Sequence, residues 1–192
     1  MNSKPVLHLA STSPRRREIL AALELDFTTV HVEVDETPLD GEAPGDMVLR
    51  LAIAKAEAAA IGPGHLALGA DTAVVINGGA LGKPVDEADC LGMLASLSGR
   101  CHTVVTGVAL SSADGTRTAL SETDVYFREI SRDEALAYWQ SGEPCDKAGA
   151  YAIQGLGGAF VERIEGSYSG VVGLPVFETV ALLNKAGFGE MI

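Results

Sequence analysis

Hydrophobic and polar positions alternate between two periods along the chain, and the switches mark the elements. Residues 6–10 form a short apolar run that predicts a buried strand. Ser13-Pro14 then opens a predicted helix, serine suiting the cap and proline the first helical position. Asp46 is the predicted cap of a second helix that runs to about Ala60. Residues 66–76 read as an apolar strand ending at Asn77-Gly78, a hairpin signal. Asp86 opens a third helix that closes near Gly99. Residues 102–111 and 116–127 read as strands around Asp114-Gly115, and Ser131-Arg132-Asp133-Glu134 is a capping box for a helix to about Gln140. Two short strands, 150–154 and 159–164, and a last helix, 176–185, complete the series. Mixed strands and helices predict an α/β fold, without fixing the strand order.

Length and charge narrow the class. A chain of 192 residues predicts one domain, large enough to bury a core without staples. The 14 basic and 26 acidic residues leave a formal net charge of −12, which argues against nucleic acid and anionic membranes as partners. No apolar run reaches ~18 residues, so no transmembrane helix is expected. The first nine residues lack the pattern of a signal peptide. The three cysteines, Cys90, Cys101 and Cys145, fit reduced thiols of a cytoplasmic protein better than a disulfide framework or a zinc site.

Four segments break local rules. Arg15, Arg16 and Arg17 occupy the first turn of a helix, where the macrodipole disfavours cations. An anion bound there would explain them, with backbone N–H groups, hydroxyls and the guanidinium forks converging on phosphate; a solvated arginine cluster pairing with surface carboxylates is the plain alternative. Lys55 shares a helical face with Val48, Leu51 and Ala52, so it either snorkels to the rim or points into a cleft. Asp71 is a carboxylate inside an apolar strand, which implies a catalytic or metal-binding group or a structural one satisfied by backbone donors. In residues 146–155, Lys147 and Gln154 are polar exceptions among small residues; Gln154 could face a base, or the segment could be an ordinary glycine-rich loop. Other motifs fail. Residues 78–84 are not a P-loop, residues 155–158 lack the dinucleotide spacing, and no histidine has a nucleophile-elbow context. Cys101-His102 has no metal-ligand partners, and Tyr138 and Trp139 read as packing residues.

In series, these segments resemble the Maf family of nucleoside triphosphate pyrophosphatases. The matching pieces are Leu9-Ala10-Ser11-Thr12-Ser13-Pro14-Arg15-Arg16, Val34-Asp35-Glu36, Arg50-Leu51-Ala52 with Lys55-Ala56, and Gly69-Ala70-Asp71-Thr72. They continue with Gly82-Lys83-Pro84, Leu97-Ser98-Gly99-Arg100 with His102 and Val104, Asp146-Lys147-Ala148-Gly149-Ala150-Tyr151, Ile153-Gln154-Gly155 and Val172-Gly173-Leu174-Pro175. The matches run in order from residue 7 to residue 183.

The resemblance implies a single Maf/ITPase-like α/β domain over residues 1–192, with a twisted mixed sheet flanked by helices and two lobes around a central cleft. It implies hydrolysis of a nucleoside triphosphate to the monophosphate and pyrophosphate, with a divalent cation, Mg²⁺ or Mn²⁺. Tyr151-Ala152-Ile153-Gln154 resembles the branch acting on dTTP and UTP. The alternatives are the sister branch acting on 7-methyl-GTP and a non-catalytic nucleotide-binding regulator of septum formation. By the same resemblance Asp71 is the proton acceptor, and Glu36, rather than Asp35, shares the metal with it. Lys55 and Lys83 neutralise phosphate charge. Ser11, Arg15 and Arg16 hold the triphosphate, and Thr72 and Gln154 join Arg15 in substrate choice. A homodimer is expected by resemblance only.

Overall fold

A computed structural model describes residues 5–60 and 62–188. Its strands are β1 (Val6–Leu9), β2 (Phe27–Thr29), β3 (His65–Ile76), β4 (Gly79–Leu81), β5 (Cys101–Ser112), β6 (Gly115–Phe127) and β7 (Val161–Glu165). Its helices are α1 (Pro14–Ala22), α2 (Pro44–Ala58), α3 (Glu87–Leu97), α4 (Arg132–Gln140), α5 (Tyr168–Val172) and α6 (Val176–Lys185). The strands form one seven-stranded sheet in the order β2-β1-β3-β5-β6-β7, with β4 paired to β3. It is mixed. β1 lies parallel to both β2 and β3, whereas β3/β4 and β6/β7 are antiparallel. The α/β expectation holds. No helix among the described residues is long and apolar enough to cross a membrane.

The local signals explain most boundaries. Asn77 and Gly78 both take positive φ, 53° and 78°, as a tight hairpin turn between β3 and β4 requires. The Asp86 carboxylate caps α3 through the Asp89 N–H, and the Ser131/Glu134 capping box closes reciprocally at the start of α4. α1 starts at Pro14 with Ser13 at the cap, as expected, although the serine hydroxyl makes no cap bond; one start differs from expectation. α2 begins at Pro44, so Asp46 lies in its first turn and is not its cap, because proline's fixed φ already starts the helix.

Residues 150–154 are not a strand. Gly149 and Ala150 both take positive φ, 65° and 57°, which turns the chain out of extended geometry, and short 3₁₀ turns lead into β7. β2, β4 and α5 have no counterpart among the expected elements. At three to five residues each, they are too short to show a period.

The chain divides into two compact units. The first comprises residues 1–71, 106–121 and 173–192; the second comprises 72–105 and 122–172. The core of the first unit is aliphatic: Leu7, Leu9, Leu20, Leu68, Leu110 and Leu183 are almost wholly buried. The core of the second unit joins Cys90, Leu94 and Leu97 of α3 to an aromatic group of Phe127, Tyr138, Tyr151 and Phe160.

Candidate active site

Within the first unit, two glycines set how closely α2 lies against the sheet. A Cβ on Gly69 would stand 2.2 Å from the Ala52 carbonyl oxygen and 2.7 Å from the Ala56 nitrogen. One on Gly107 would stand 2.6 Å from the Val48 carbonyl oxygen. Helix backbone therefore rests directly on strand backbone, which only glycine permits. The buried face of α2 carries Val48, Leu51, Ala52, Lys55 and Ala56. Lys55 is thus drawn in with the apolar residues, only 9% exposed. It does not snorkel to open solvent. Its Nζ lies 2.7 Å from Asp71 Oδ1 and 2.6 Å from Glu36 Oε1.

Asp71 stands where the buried run of β3 gives way to half-buried positions, two residues beyond Gly69. Its side chain is 15% exposed, against 56% for Glu36, so the lysine bridges an inner and an outer carboxylate. Such a group is costly in an apolar strand unless paired, and Lys55 supplies the pairing.

The loop that presents Glu36 is tied down by Arg50. Its guanidinium donates to both Glu42 oxygens, at 2.6 and 2.7 Å, and to the Thr37 carbonyl at 3.2 Å. Asp35 accepts from the Thr37 N–H at 2.9 Å. Hydrogen bonding from Thr37 holds the Asp35 carboxyl below its ordinary pKa, and the Arg50 bond does the same for Glu42. Asp35 thus serves its own loop, while Glu36 reaches Lys55.

The first turn of α1 carries no acidic residue to offset its arginines. Ser11, 9% exposed, accepts from the Ser13 N–H at 3.2 Å and from Arg16 Nη1 at 3.4 Å. Arg16 Nε donates to the Gly173 carbonyl at 2.8 Å. Burial lowers the Arg16 guanidinium from its ordinary pKa, while the fields of Asp71 and Glu36 act to raise it and Arg15 acts to lower it. Arg15, Arg16, Lys55, Asp71 and Glu36 therefore share one electrostatic neighbourhood. Arg17 is exposed.

The other expected residues belong to the second unit. Thr72 is half-buried on β3. Lys83 is exposed in the segment between β4 and α3, which Gly149 N–H anchors by donating to the Gly82 carbonyl at 3.0 Å. Gln154 is exposed on a turn closed by the Gly155 N–H and the Ala152 carbonyl, 3.2 Å apart. Lys147 pairs with Asp146. His102 is buried and in hydrogen-bond contact with the Tyr151 hydroxyl at 2.9 Å. Sequence reasoning missed Arg50 and Glu143 as organising residues and took Tyr138 for packing alone. No spacing rule flags such side chains, because they grip the backbone of distant segments.

Among the described residues no cluster of three or more His, Cys, Asp or Glu could cage a metal ion. Asp71 and Glu36 are two hard oxygen donors on a common lysine. That set fits a cation of the Mg²⁺ kind, which is held by one or two carboxylates and completes its shell with water and substrate phosphate.

The arginines that open α1, with Arg16 in the fields of Asp71 and Glu36, form the kind of neighbourhood that suits an anionic, phosphate-like group. The chain belongs to the Maf family: the family model described as Maf-like protein matches residues 6–186. It is 54% identical to the dTTP/UTP pyrophosphatase of Shewanella sp. (strain MR-7), over 94% of this chain and 98% of that protein. It is 52% identical to the protein of the same name from Hahella chejuensis, over 94% and 92%, and 50% identical to that from Methylobacillus flagellatus, over 94% and 92%. The solved structure of the Staphylococcus aureus Ham1 protein overlays 66% of this chain and 72% of that one at 19% identity and a TM-score of 0.45, too low to add to the strand order given above.

Proposed function

We propose that the chain is a nucleoside triphosphate pyrophosphatase that hydrolyses dTTP and UTP to the monophosphate and pyrophosphate. The observation that carries this reading is the Lys55 ammonium held between Asp71 and Glu36, beside the arginines that open α1. A buried cation fixed by two carboxylates is preorganised for developing phosphate charge and needs little rearrangement when it appears. The names of the relatives, at 50–54% identity, point to the same reaction and bases.

Ser11, Arg15 and Arg16 hold the triphosphate at the N-terminus of α1, where backbone dipoles favour anions. Lys55 and Lys83 neutralise charge on the phosphates. Asp71 is the general base: it takes a proton from water as the water oxygen bonds to phosphorus, while the α–β bridging P–O bond breaks and pyrophosphate leaves. A divalent cation, Mg²⁺ or Mn²⁺, would be held by Asp71 and Glu36 and would supply charge stabilisation on the phosphoryl oxygens. Thr72 and Gln154 serve base selection. The Gln154 carboxamide donates to a ring carbonyl and accepts from N3–H of uracil or thymine. The chain works as one Maf-like domain over residues 1–192, as a cytoplasmic homodimer with a small-molecule substrate and neither nucleic acid nor membrane as a partner.

The test is pyrophosphate release from dTTP, UTP, CTP, GTP and 7-methyl-GTP, with Mg²⁺ or Mn²⁺ and then with EDTA. Metal-dependent release from dTTP and UTP is expected. Release from 7-methyl-GTP alone would keep the reaction and overturn the assignment of Gln154. Saturable binding without release would overturn the reaction itself.

A further inference from the structure

Gln154 is a long, exposed side chain on a tight turn, and such a side chain reads a base only if its backbone is held. The turn is fastened on both flanks by one pair of side chains in the second unit. Tyr138, near the end of α4, accepts from the Ala152 N–H at 3.1 Å and donates its own proton to Glu143 Oε1 at 2.7 Å. Glu143 in turn accepts from the Leu156 N–H at 2.9 Å and the Gly157 N–H at 3.0 Å. One backbone donor ahead of Gln154 and two behind it thus converge on a joined phenol and carboxylate.

The approach is close enough to constrain the sequence. A Cβ on Gly155 would stand 2.2 Å from Glu143 Oε2, and one on Gly157 2.6 Å from the Tyr138 hydroxyl. Burial acts to raise the Glu143 carboxyl, but bonds from Gly157, Tyr138 and Leu156 outweigh it and leave it below its ordinary pKa. Burial, then the Glu143 bond, push the Tyr138 phenol up. The pair therefore keeps the charge-assisted form that makes such bonds strong.

We propose that Tyr138 and Glu143 are positioning residues for Gln154, holding the backbone of its turn where the carboxamide reaches N3–H of uracil or thymine. The proposal rests on the reading of Gln154 as the base-selecting residue. A held turn keeps the carboxamide where one end accepts from N3–H and the other donates to a ring carbonyl. A loosened turn gives up that pair of bonds, which costs UTP more than CTP because cytosine has no N3–H.

The test measures kcat and KM for UTP and CTP in Tyr138→Phe and Glu143→Gln, each alone and combined with Gln154→Ala. Tyr138→Phe keeps the ring that packs edge-on against Phe160, so it tests the hydroxyl in a folded protein even if Glu143→Gln proves unstable. The expected result is a fall of about tenfold in the UTP/CTP ratio of kcat/KM for Tyr138→Phe, chiefly through a higher KM for UTP. Gln154→Ala should erase the preference, and adding Tyr138→Phe to it should change the ratio no further. If Tyr138→Phe keeps the full preference, or slows UTP and CTP alike, while Gln154→Ala loses it, the positioning role is overturned and the base-reading role stands. If Gln154→Ala keeps the wild-type preference, the base-reading role falls and takes the positioning role with it.

Discussion

Asp71→Asn separates the chemistry of the site from its architecture. The substitution removes one negative charge and preserves shape. Lys55 Nζ keeps Glu36 at 2.6 Å, so the ammonium is not stranded, and an asparagine carbonyl oxygen can still accept at the 2.7 Å position. The structural loss is that of weakening one charged hydrogen bond, about 1–2 kcal/mol. In a chain of this size that lowers Tm by only ~2–8 °C. Catalysis loses its proton acceptor, and kcat should fall by about 10²–10⁴. Lys55→Met is the contrasting case. It leaves Asp71 and Glu36 facing a site without the cation that holds them, and removing one partner from a largely buried pair costs about 3–5 kcal/mol. The assays are pyrophosphate release from dTTP, thermal unfolding, and titration of nucleotide binding by calorimetry. An unchanged kcat in Asp71→Asn would refute the base assignment. Loss of binding and of the folded state together, as severe as in Lys55→Met, would show Asp71 to be an architectural residue.

Three further outcomes follow from single contacts. Gly69→Ala should destabilise the protein by about 1–3 kcal/mol and also lower kcat, because the added methyl meets the Ala52 carbonyl oxygen at 2.2 Å and must push away the helix that carries Lys55; denaturant unfolding and turnover check this, and unchanged stability would rule out the close approach. Arg50→Lys loses the two-pronged bond to Glu42 and frees the loop bearing Glu36, so kcat should fall about tenfold with global unfolding little affected; the idea fails if Glu36→Ala slows turnover and Arg50→Lys does not. Burial lowers His102 from 6.5 to about 4, with Asp124 opposing it, so the unfolded chain takes up this proton first as pH falls. Its contribution to stability is complete above pH 6.5 and is lost progressively down to about 4, roughly 3 kcal/mol in all; His102→Gln should flatten that part of the stability–pH curve, and a curve of unchanged slope would count against a buried neutral imidazole.

Local chemistry made much of the fold legible. The Asn77-Gly78 hairpin, the capping box at Ser131 and the helix at Val176–Lys185 are written in residues that touch one another along the chain. Residues 150–154 misled because apolar residues in a short run resemble a buried strand, whereas the consecutive positive-φ residues Gly149 and Ala150 and the Ala152 bond to Tyr138 bend this segment into turns. Tertiary contacts there override the local pattern. β2 lay below any periodic signal, because its three residues are defined by pairing with β1.

For the site, sequence and structure divide the information differently. The helical wheel put Lys55 on the apolar face of α2 but left open whether it pointed to the rim or inward. Its direction follows from two glycines, Gly69 and Gly107, which let the helix backbone settle onto the sheet. Asp71 stood out as a carboxylate in an apolar strand, but its partner lay sixteen positions away on that helix. A charged residue can be recognised from its neighbours in sequence, but what it does depends on which backbones come close enough to present its partner. The substitutions with most to teach are therefore those of glycines that carry no chemistry. Gly69 governs where Lys55 meets Asp71, and Gly155 and Gly157 govern how Glu143 and Tyr138 grip the turn of Gln154. In each case the missing Cβ allows a close approach, of the α2 backbone at Gly69 and of the Glu143 and Tyr138 side chains at Gly155 and Gly157.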